Sequence, residues 1–359
     1  MNDSCNDSCA ACGKSDGPLK RCSACRSVRY CGVDCQRSHR PEHRKKCKEI
    51  SNAAKVYTAI KEADRTVELK LLAIEIKEND LNDPDLFKSP PKTDCAICML
   101  PMPIYHCKDC QYFSCCGKLI CIGCYLESER RVFIKNVRRE NSRRIDPEYE
   151  PFSSPPLDSL CPFCRETTAP ESNQAYFERL ERRIEEGNDK LAMFQLAVAH
   201  KIGSHGVVAD PAKHLDLLRR AADLGSAEAC FSLSSIYCTS SCGIEKDLIR
   251  MNQYNKVAAK LGHVEARFSM GATAHTVGLI RLAHRHWVIS AGRGHDESLN
   301  RLKIEYSEGR ITEGKWLEIK AMHKEGREEM TSPARELAKQ CGFSVPEYCK
   351  LRGLSDQNE

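Results

Sequence analysis

Apolar residues recur at helical spacing over most of the chain, and two cysteine-rich stretches interrupt this pattern. Residues 51–80 carry apolar side chains at steps of three and four, which predicts an amphipathic helix that needs a partner surface. The stripe consists of Val56, Ile60, Ala63, Val67, Leu71, Ile74 and Leu81. Prolines at positions 84, 90 and 91 predict the helix end and a linker, because proline lacks a backbone donor and disfavours helix before it.

From residue 172 onward the pattern predicts helix throughout, and the sequence repeats itself. Segments that start at Asn188, Gly225 and Gly262 align at a spacing of 37 residues, and a shortened start at Gly294 follows after 32. Alanine pairs before these starts predict close helix packing, and the glycines predict left-handed helix caps. Stacked helix pairs of this kind bury a continuous core and leave a concave face for partners.

These repeats resemble the Sel-like repeat, a relative of the tetratricopeptide repeat, over about residues 188–330. The turns that end at Asp210 and Asp247 match that family's turn between paired helices. The third repeat has lost this turn, so its loop is expected to be short. Ser332-Pro333 predicts the start of a last helix, which we expect to cap the solenoid.

The first 47 residues have little apolar content but eight potential metal ligands. They are Cys9, Cys12, Cys22, Cys25, Cys31, Cys35, His43 and Cys47. Cysteines separated by two residues bind one tetrahedral Zn²⁺ from a tight turn, and ligands four positions apart share a helical face. The set therefore predicts two zinc ions with four ligands each. Because such sites leave no open coordination position, the zinc is predicted to be structural.

The spacing and the neighbouring residues of this stretch resemble the MYND zinc finger over residues 9–47. The resemblance implies interleaved sites, with Cys9, Cys12, Cys31 and Cys35 on one zinc and Cys22, Cys25, His43 and Cys47 on the other. It also implies a module that binds proteins or peptides, in which Ser23 and Gln36 contact the peptide. The family's third contact, a tryptophan, is Arg40 in this chain, so the aromatic wall is missing.

The composition favours an intracellular zinc protein over a secreted one. The alternative interpretation of the cysteines is a disulfide framework, but 17 of the 23 cysteines fall into two clusters with the paired spacing of metal ligands. We find no signal peptide and no run of 18 apolar residues, which predicts a cytoplasmic or nuclear protein without a membrane segment. The formal charge of +5 over 359 residues does not require a nucleic-acid partner.

The second cysteine cluster resembles an all-cysteine RING finger over residues 93–168, with a basic insert between Glu127 and Ser159. The resemblance implies one zinc on Cys95, Cys98, Cys121 and Cys124 and another on Cys115, Cys116, Cys161 and Cys164. Adjacent side chains in extended backbone point in opposite directions, so Cys115 and Cys116 share an ion only if the chain turns there. Cys107 and Cys110 are the alternative ligands. Four zinc ions per chain are expected in total.

In RING fingers that act as ubiquitin ligases, three positions contact the ubiquitin-conjugating enzyme or the activated ubiquitin. Ile97, Pro162 and Arg165 occupy these positions, and the resemblance implies such a partner. The alternative is that Ile97 and Pro162 only pack the small zinc core. The basic insert could bind acidic partners or RNA, although a solvated helix followed by a loop is the favoured interpretation.

The sequence therefore predicts a mainly α protein in which two small cross-braced zinc modules precede an α-helical repeat solenoid. The predicted domains are 1–50 (MYND-like finger), 51–92 (helical connector and linker), 93–168 (RING-like finger) and 172–359 (repeats and capping helix). The leading hypothesis is an adaptor that holds proteins or peptides beside one another. The second is a RING-type ubiquitin ligase, and the third, ranked lowest, is a nucleic-acid-associated protein.

Overall fold

The structure is a computed structural model, and it describes residues 8–15, 17–102, 109–130, 161–166, 173–203, 207–342 and 344. The chain is mainly helical, which confirms the predicted fold class. It divides into two compact units, Met1–Leu71 and Leu72–Glu359. Most of the predicted basic insert lies outside the described residues. None of the described helices combines the length and the apolar character that a bilayer span requires.

The first unit contains a two-stranded antiparallel sheet and most of a long helix. Strand β1 (Lys20–Arg21) pairs with strand β2 (Arg29–Tyr30), and helix α1 follows at Val33–Asn79. Helix α1 continues through position 50, where the sequence predicted a domain boundary. Pro41 lies inside the helix, where it removes one backbone donor without ending the helix. The finger and the predicted connector therefore share one helix.

The apolar stripe predicted on this helix is exposed in the first unit. Val56, Ile60, Val67 and Leu71 are each more than half exposed. In the second unit, Leu72 and Ile76 are the apolar residues of α1 that are buried, whereas Ile74 and Leu81 are about half exposed. The predicted helix is thus observed, but among the described residues its apolar stripe is not the face that is buried. Leu72 and Ile76 lie on another face of the helix, and the spacing alone could not rank the two faces.

Residues 80–102 form a docked segment and not a free linker. Leu86 is fully buried against Ala258, Ala266 and Met270 of the repeats. Its carbonyl accepts a hydrogen bond from the guanidinium of Arg267, which is itself buried. The segment is thus part of the second unit's core. Burial of the Leu86 side chain contributes about 2 kcal/mol in transfer free energy alone.

The central module is a small hairpin followed by a helix. Strand β3 (Cys110–Tyr112) pairs antiparallel with strand β4 (Leu119–Cys121), and Gln111 lies opposite Ile120. Helix α2 begins after β4 and is described over residues 122–130. The buried core of the module consists of Cys95, Phe113, Ile120, Cys121 and Cys161. Three of these five residues are cysteines, so the apolar core is too small to fix the fold without a cross-link.

The repeats form consecutive helices, and from α3 to α11 each helix packs against the next. They are α3 (Asn173–Gly187), α4 (Lys190–Ile202), α5 (Pro211–Asp223), α6 (Ala227–Thr239), α7 (Leu248–Lys260), α8 (Val264–Thr276), α9 (Ile280–Ala291), α10 (Asp296–Ser307), α11 (Glu313–Glu329) and α12 (Pro333–Gln340).

Helix caps follow the predicted repeat. Asp189, Ser226, His263 and His295 are the N-caps of α4, α6, α8 and α10, and each accepts a hydrogen bond from a backbone N–H of the first helical turn. These caps are spaced by 37, 37 and 32 residues. The predicted helical repeat is confirmed at the level of individual caps.

The turns within the repeats also agree with the prediction. Asp210 and Asp247 cap α5 and α7, whereas Leu279, at the start of α9, makes no side-chain cap. Only residues 277–279 connect α8 to α9, which confirms the short loop of the third repeat. Gly225 and Gly262 adopt positive φ values of 76° and 96°, as the predicted left-handed caps require.

Candidate metal centres

The first finger places its eight ligands in two clusters of four. Cys9, Cys12, Cys31 and Cys35 form one cluster, and Cys22, Cys25, His43 and Cys47 form the other, with all ligand atoms of a cluster within 4.8 Å of one another. The interleaving is possible because the antiparallel hairpin separates the second and third cysteine pairs: Cys22 and Cys25 lie at its turn, and Cys31 follows β2 at its open end. Helix α1 then carries Cys35 to one cluster and His43 and Cys47 to the other.

The separations within these clusters fit tetrahedral zinc. With Zn–S bonds of about 2.3 Å, two sulfur ligands lie roughly 3.8 Å apart. The Sγ atoms of Cys12 and Cys31 are 3.7 Å apart, and so are those of Cys22 and Cys47. The Nε2 atom of His43 lies 3.2 Å from Cys25 Sγ. A disulfide would need about 2.05 Å, and the described cysteines are free thiols.

Four turns hold the cysteine pairs in the same backbone conformation. The residue after the second cysteine has positive φ in each turn: Gly13 (73°), Arg26 (56°), Met99 (57°) and Arg165 (64°). Its N–H donates to the carbonyl of the first cysteine over 2.8 to 3.1 Å. A non-glycine residue in this region costs about 1 kcal/mol or more, so the three non-glycine turns are strained features that a bound metal would offset.

The backbone also prepares thiols of the finger for metal binding. The backbone N–H of Cys31 is the main cause of a lowered pKa at Cys9, which falls to about 6. At Cys22, burial raises the pKa, but hydrogen bonds from the N–H groups of Cys25 and Ala24 and from the side chains of His43 and Cys25 together lower it to about 6. Zinc binds the thiolate form, and a lowered pKa reduces the cost of losing the proton.

The central module forms two further clusters of the same size. Cys95, Cys98, Cys121 and Cys124 form one, and Cys115, Cys116, Cys161 and Cys164 form the other. The Sγ atoms of Cys98 and Cys121 are 3.9 Å apart, and those of Cys116 and Cys161 are 3.6 Å apart. Both separations match the roughly 3.8 Å expected of zinc ligands.

Adjacent cysteines reach one cluster because the chain turns at this point. Residues 114–116 form a turn, in which Gly117, with φ of 71°, donates its N–H to the carbonyl of Phe113 over 2.7 Å. Cys110 lies in β3 opposite Cys121 and is not a member of the fourth cluster. Cys107 lies outside the described residues.

Arg335 attaches the third cluster to the repeat domain, although no sequence motif marks this residue. The guanidinium, at the start of α12, is 2% exposed. It donates to the carbonyls of Pro101 (2.6 Å), Met330 (2.7 Å) and Leu100 (3.2 Å) and lies 3.4 Å from Cys98 Sγ. A cation beside a thiolate stabilises its negative charge, so Arg335 supports a candidate metal ligand from outside the module.

Two further contacts join the module to the repeats. Near Arg335, Ala338 and Cys341 pack against Ile122 and Leu126 of α2, so the last helix covers the central module. At the other end, Tyr112 of β3 donates its hydroxyl to Asp189 Oδ2 over 3.1 Å, and Arg183 binds the same oxygen. Burial and then the Asp189 charge raise the pKa of Tyr112, which keeps it protonated as a donor.

The predicted partner-contacting residues lie at the surface. Ser23 and Gln36 line a groove of about 610 Å³ on the first finger. In the central module, Ile97 is 43% exposed, Pro162 is half-buried and Arg165 is exposed. Ile97 and Arg165 are therefore accessible to solvent, and the contacts of all three residues with a partner stay predictions.

Residues 9–47 match the model of the MYND finger family. No curated protein matches the chain. Among solved structures, a Sel1 repeat protein from Oxalobacter formigenes is 18% identical over 53% of this chain and 82% of its own, with a TM-score of 0.39. The protective antigen c5321 of uropathogenic Escherichia coli, which displays an SLR fold, is 20% identical over 53% of this chain and 39% of its own, with a TM-score of 0.38.

Proposed function

We propose that this protein is a zinc-dependent adaptor that binds other proteins through the first finger and through the unit formed by the central module and the repeats. The proposal includes four structural zinc ions, one in each cluster of four ligands. Four closed ligand sets are the observation that carries it. Each set already supplies the four protein ligands of a structural zinc, so no position is left for a substrate.

The adaptor role follows from what the zinc modules support. The first finger matches the MYND finger family, and this resemblance implies a module that binds proteins. Its groove is open to solvent. The repeats are a stack of helix pairs, an architecture that offers an extended surface to partners.

Two variants test the adaptor role through separate partner sets. Cys22→Ser breaks one site of the first finger, and Cys95→Ser breaks one site of the central module. Affinity capture with the full chain should lose one set of bound proteins in the first variant and a different set in the second. If both variants retain every protein that the wild type captures, the zinc modules are not the binding surfaces and the adaptor proposal fails.

A ubiquitin ligase is the second candidate, and the exposure of Ile97 favours it. An apolar side chain that is 43% exposed between two candidate ligands is available to a conjugating enzyme. The test is autoubiquitination of the full chain with a panel of conjugating enzymes. We expect Ile97→Ala to abolish product and Val208→Ala, at an apolar position that is 83% exposed in the repeats, to leave it unchanged. No product from the wild type would reject this candidate.

A further inference from the structure

The groove on the first finger has an unusual charge. It lies between the turn at Cys22 and helix α1, and its volume is about 610 Å³. Five of its lining residues are cations: Arg37, Arg40, Arg44, Lys48 and Lys55. Among the described residues that line the groove, none is an aspartate or a glutamate. The groove therefore presents a positive field to whatever enters it.

The five cations lie along one face of α1, because they recur at steps of three, four, four and seven residues. Arg37 is 4.0 Å from the exposed carboxylate of Asp34. Arg40, Arg44, Lys48 and Lys55 form no ion pair within the described part of the chain. The described residues of the finger therefore supply no ion-pair partner for these four cations.

The neighbouring metal site does not cancel this charge. Three thiolates and a neutral imidazole around Zn²⁺ carry a net charge of −1, against five cations. The remaining polar lining residues, which include Ser23, Gln36, Ser51 and Asn52, add hydrogen-bonding groups. The field in the groove stays positive after the zinc site is counted.

The same lining argues against an apolar peptide. Tyr30 is 2% exposed and offers little surface, so Ala24 and Val33 are the accessible apolar residues. Arg40 stands where the resemblance to the MYND finger would place a tryptophan. A ligand of this groove must match cations and hydrogen-bond donors instead of an aromatic wall.

The groove also lacks what a single-stranded nucleic acid requires. Such ligands gain much of their affinity from bases stacked on exposed aromatic rings. The groove's tyrosine is buried, and its histidine, His43, is a candidate metal ligand. A peptide with carboxylates or phosphates fits the lining better.

We propose that this groove binds an extended acidic peptide of a partner protein, whose carboxylate or phosphate groups pair with Arg40, Arg44 and Lys48. The proposal rests on the adaptor function and names the chemistry of the finger's ligand. Positions 37 to 55 span about 27 Å along the helix, which an extended peptide of about eight residues covers. Arginine suits such ligands because its guanidinium binds carboxylates and phosphates in a bidentate manner.

Two charge-matched variants of the zinc-loaded full chain test the proposal. Arg40→Gln with Arg44→Gln removes two charges from the groove. Lys45→Gln with Lys46→Gln removes two charges from the same helix, at positions that do not line the groove. Fluorescence anisotropy with a labelled Glu/Asp peptide should show binding at least about tenfold weaker in the first variant and less than about threefold weaker in the second.

Three other probes complete the experiment. A matched Gln/Asn peptide should not bind, and a phosphoserine peptide that binds more tightly than the Glu/Asp peptide would identify phosphate as the preferred group. Equal losses in the two charge variants, or tighter binding of a single-stranded oligonucleotide of similar length, would overturn the inference. Zinc content is measured in parallel. If zinc is retained but the acidic peptide does not bind, this inference fails while the adaptor proposal stands.

Discussion

The first finger and the central module carry the same number of candidate zinc ligands but depend on their surroundings differently. In the finger, Cys9, Cys22 and Tyr30 are the buried core, and its peptide groove is open. In the central module, Arg335 holds one end against the repeats and Tyr112 holds the other. We therefore expect metal to provide almost all of the finger's stability, and we expect the central module to share its stability with the repeats.

The two similar ligand sets therefore differ in what they stabilise: the finger alone in one case, and the central module together with the last helix in the other. A finger whose apolar core is so small can fold only around metal, and it can present its groove without help from the repeats. A module whose metal ligand lies 3.4 Å from an arginine of the last helix is coupled to that helix. Substitutions should consequently have local effects in the finger and shared effects in the second unit.

The largest expected effect is local loss of the finger in Cys22→Ser. A structural zinc contributes a binding free energy of about 10 kcal/mol, and removal of one ligand should eliminate most of it. Hydrogen exchange should show loss of protection over residues 9–47 with unchanged protection in α4 to α9. Cys238→Ser, at an exposed cysteine outside the clusters, is the control. Loss of protection in the repeats as well would contradict the independence of the finger.

Arg335→Met should weaken the second unit strongly. The change removes the side-chain donor from the carbonyls of Pro101 and Met330, whereas the Leu100 carbonyl still accepts the N–H of Cys95. We expect a cost of about 3 kcal/mol. The urea midpoint should fall, and zinc should leave the third cluster faster in the presence of a chelator. Lys339→Met, an exposed change on the same helix, should cost less than 1 kcal/mol. Equal effects would show that Arg335 does not couple module and repeats.

Tyr112→Phe tests the other attachment. The variant loses the hydrogen bond to Asp189 but keeps the ring that packs against the repeats, so we expect a loss of about 1 kcal/mol. Unfolding in urea measures it. Combination with Arg335→Met should give additive losses, because the two contacts lie at different sites. An unchanged midpoint in Tyr112→Phe would mean that this contact adds no stability.

The smallest effect concerns the docked segment and depends on pH. Lys260, together with Lys256, lowers the pKa of Asp83 from 3.8 to about 2. Because the folded pKa is the lower one, the stabilisation is complete above pH 3.8 and is lost as the pH falls towards 2. At pH 6 the free energy of unfolding of the wild type should exceed that of Asp83→Asn by about 1 kcal/mol. This difference should shrink below pH 3.8. A constant difference from pH 6 to pH 2 would rule out this ion pair.

Sequence patterns predicted the features that depend on residues near one another in the chain, such as paired metal ligands and the ends of helices. Cysteine spacing selected the eight ligands of the first finger, the resemblance to a RING finger selected the eight of the central module, and the structure brings all sixteen side chains into four clusters. The turns that end at Asp210 and Asp247 marked the starts of α5 and α7. The number and positions of the zinc ions and the RING-like assignment stay predictions. Contacts between distant segments escaped the sequence analysis. Arg335 and Leu86 carry no motif, and their roles depend on which surfaces meet when the chain folds.

Zinc content of the native protein tests the central claim most directly. Mass spectrometry of the intact chain under native conditions should find four zinc ions. One ion fewer should be found in each of four variants that replace one ligand per cluster: Cys12→Ser, Cys22→Ser, Cys95→Ser and Cys164→Ser. Two ions or fewer in the wild type, or the mass loss of paired disulfides in place of metal, would contradict the account.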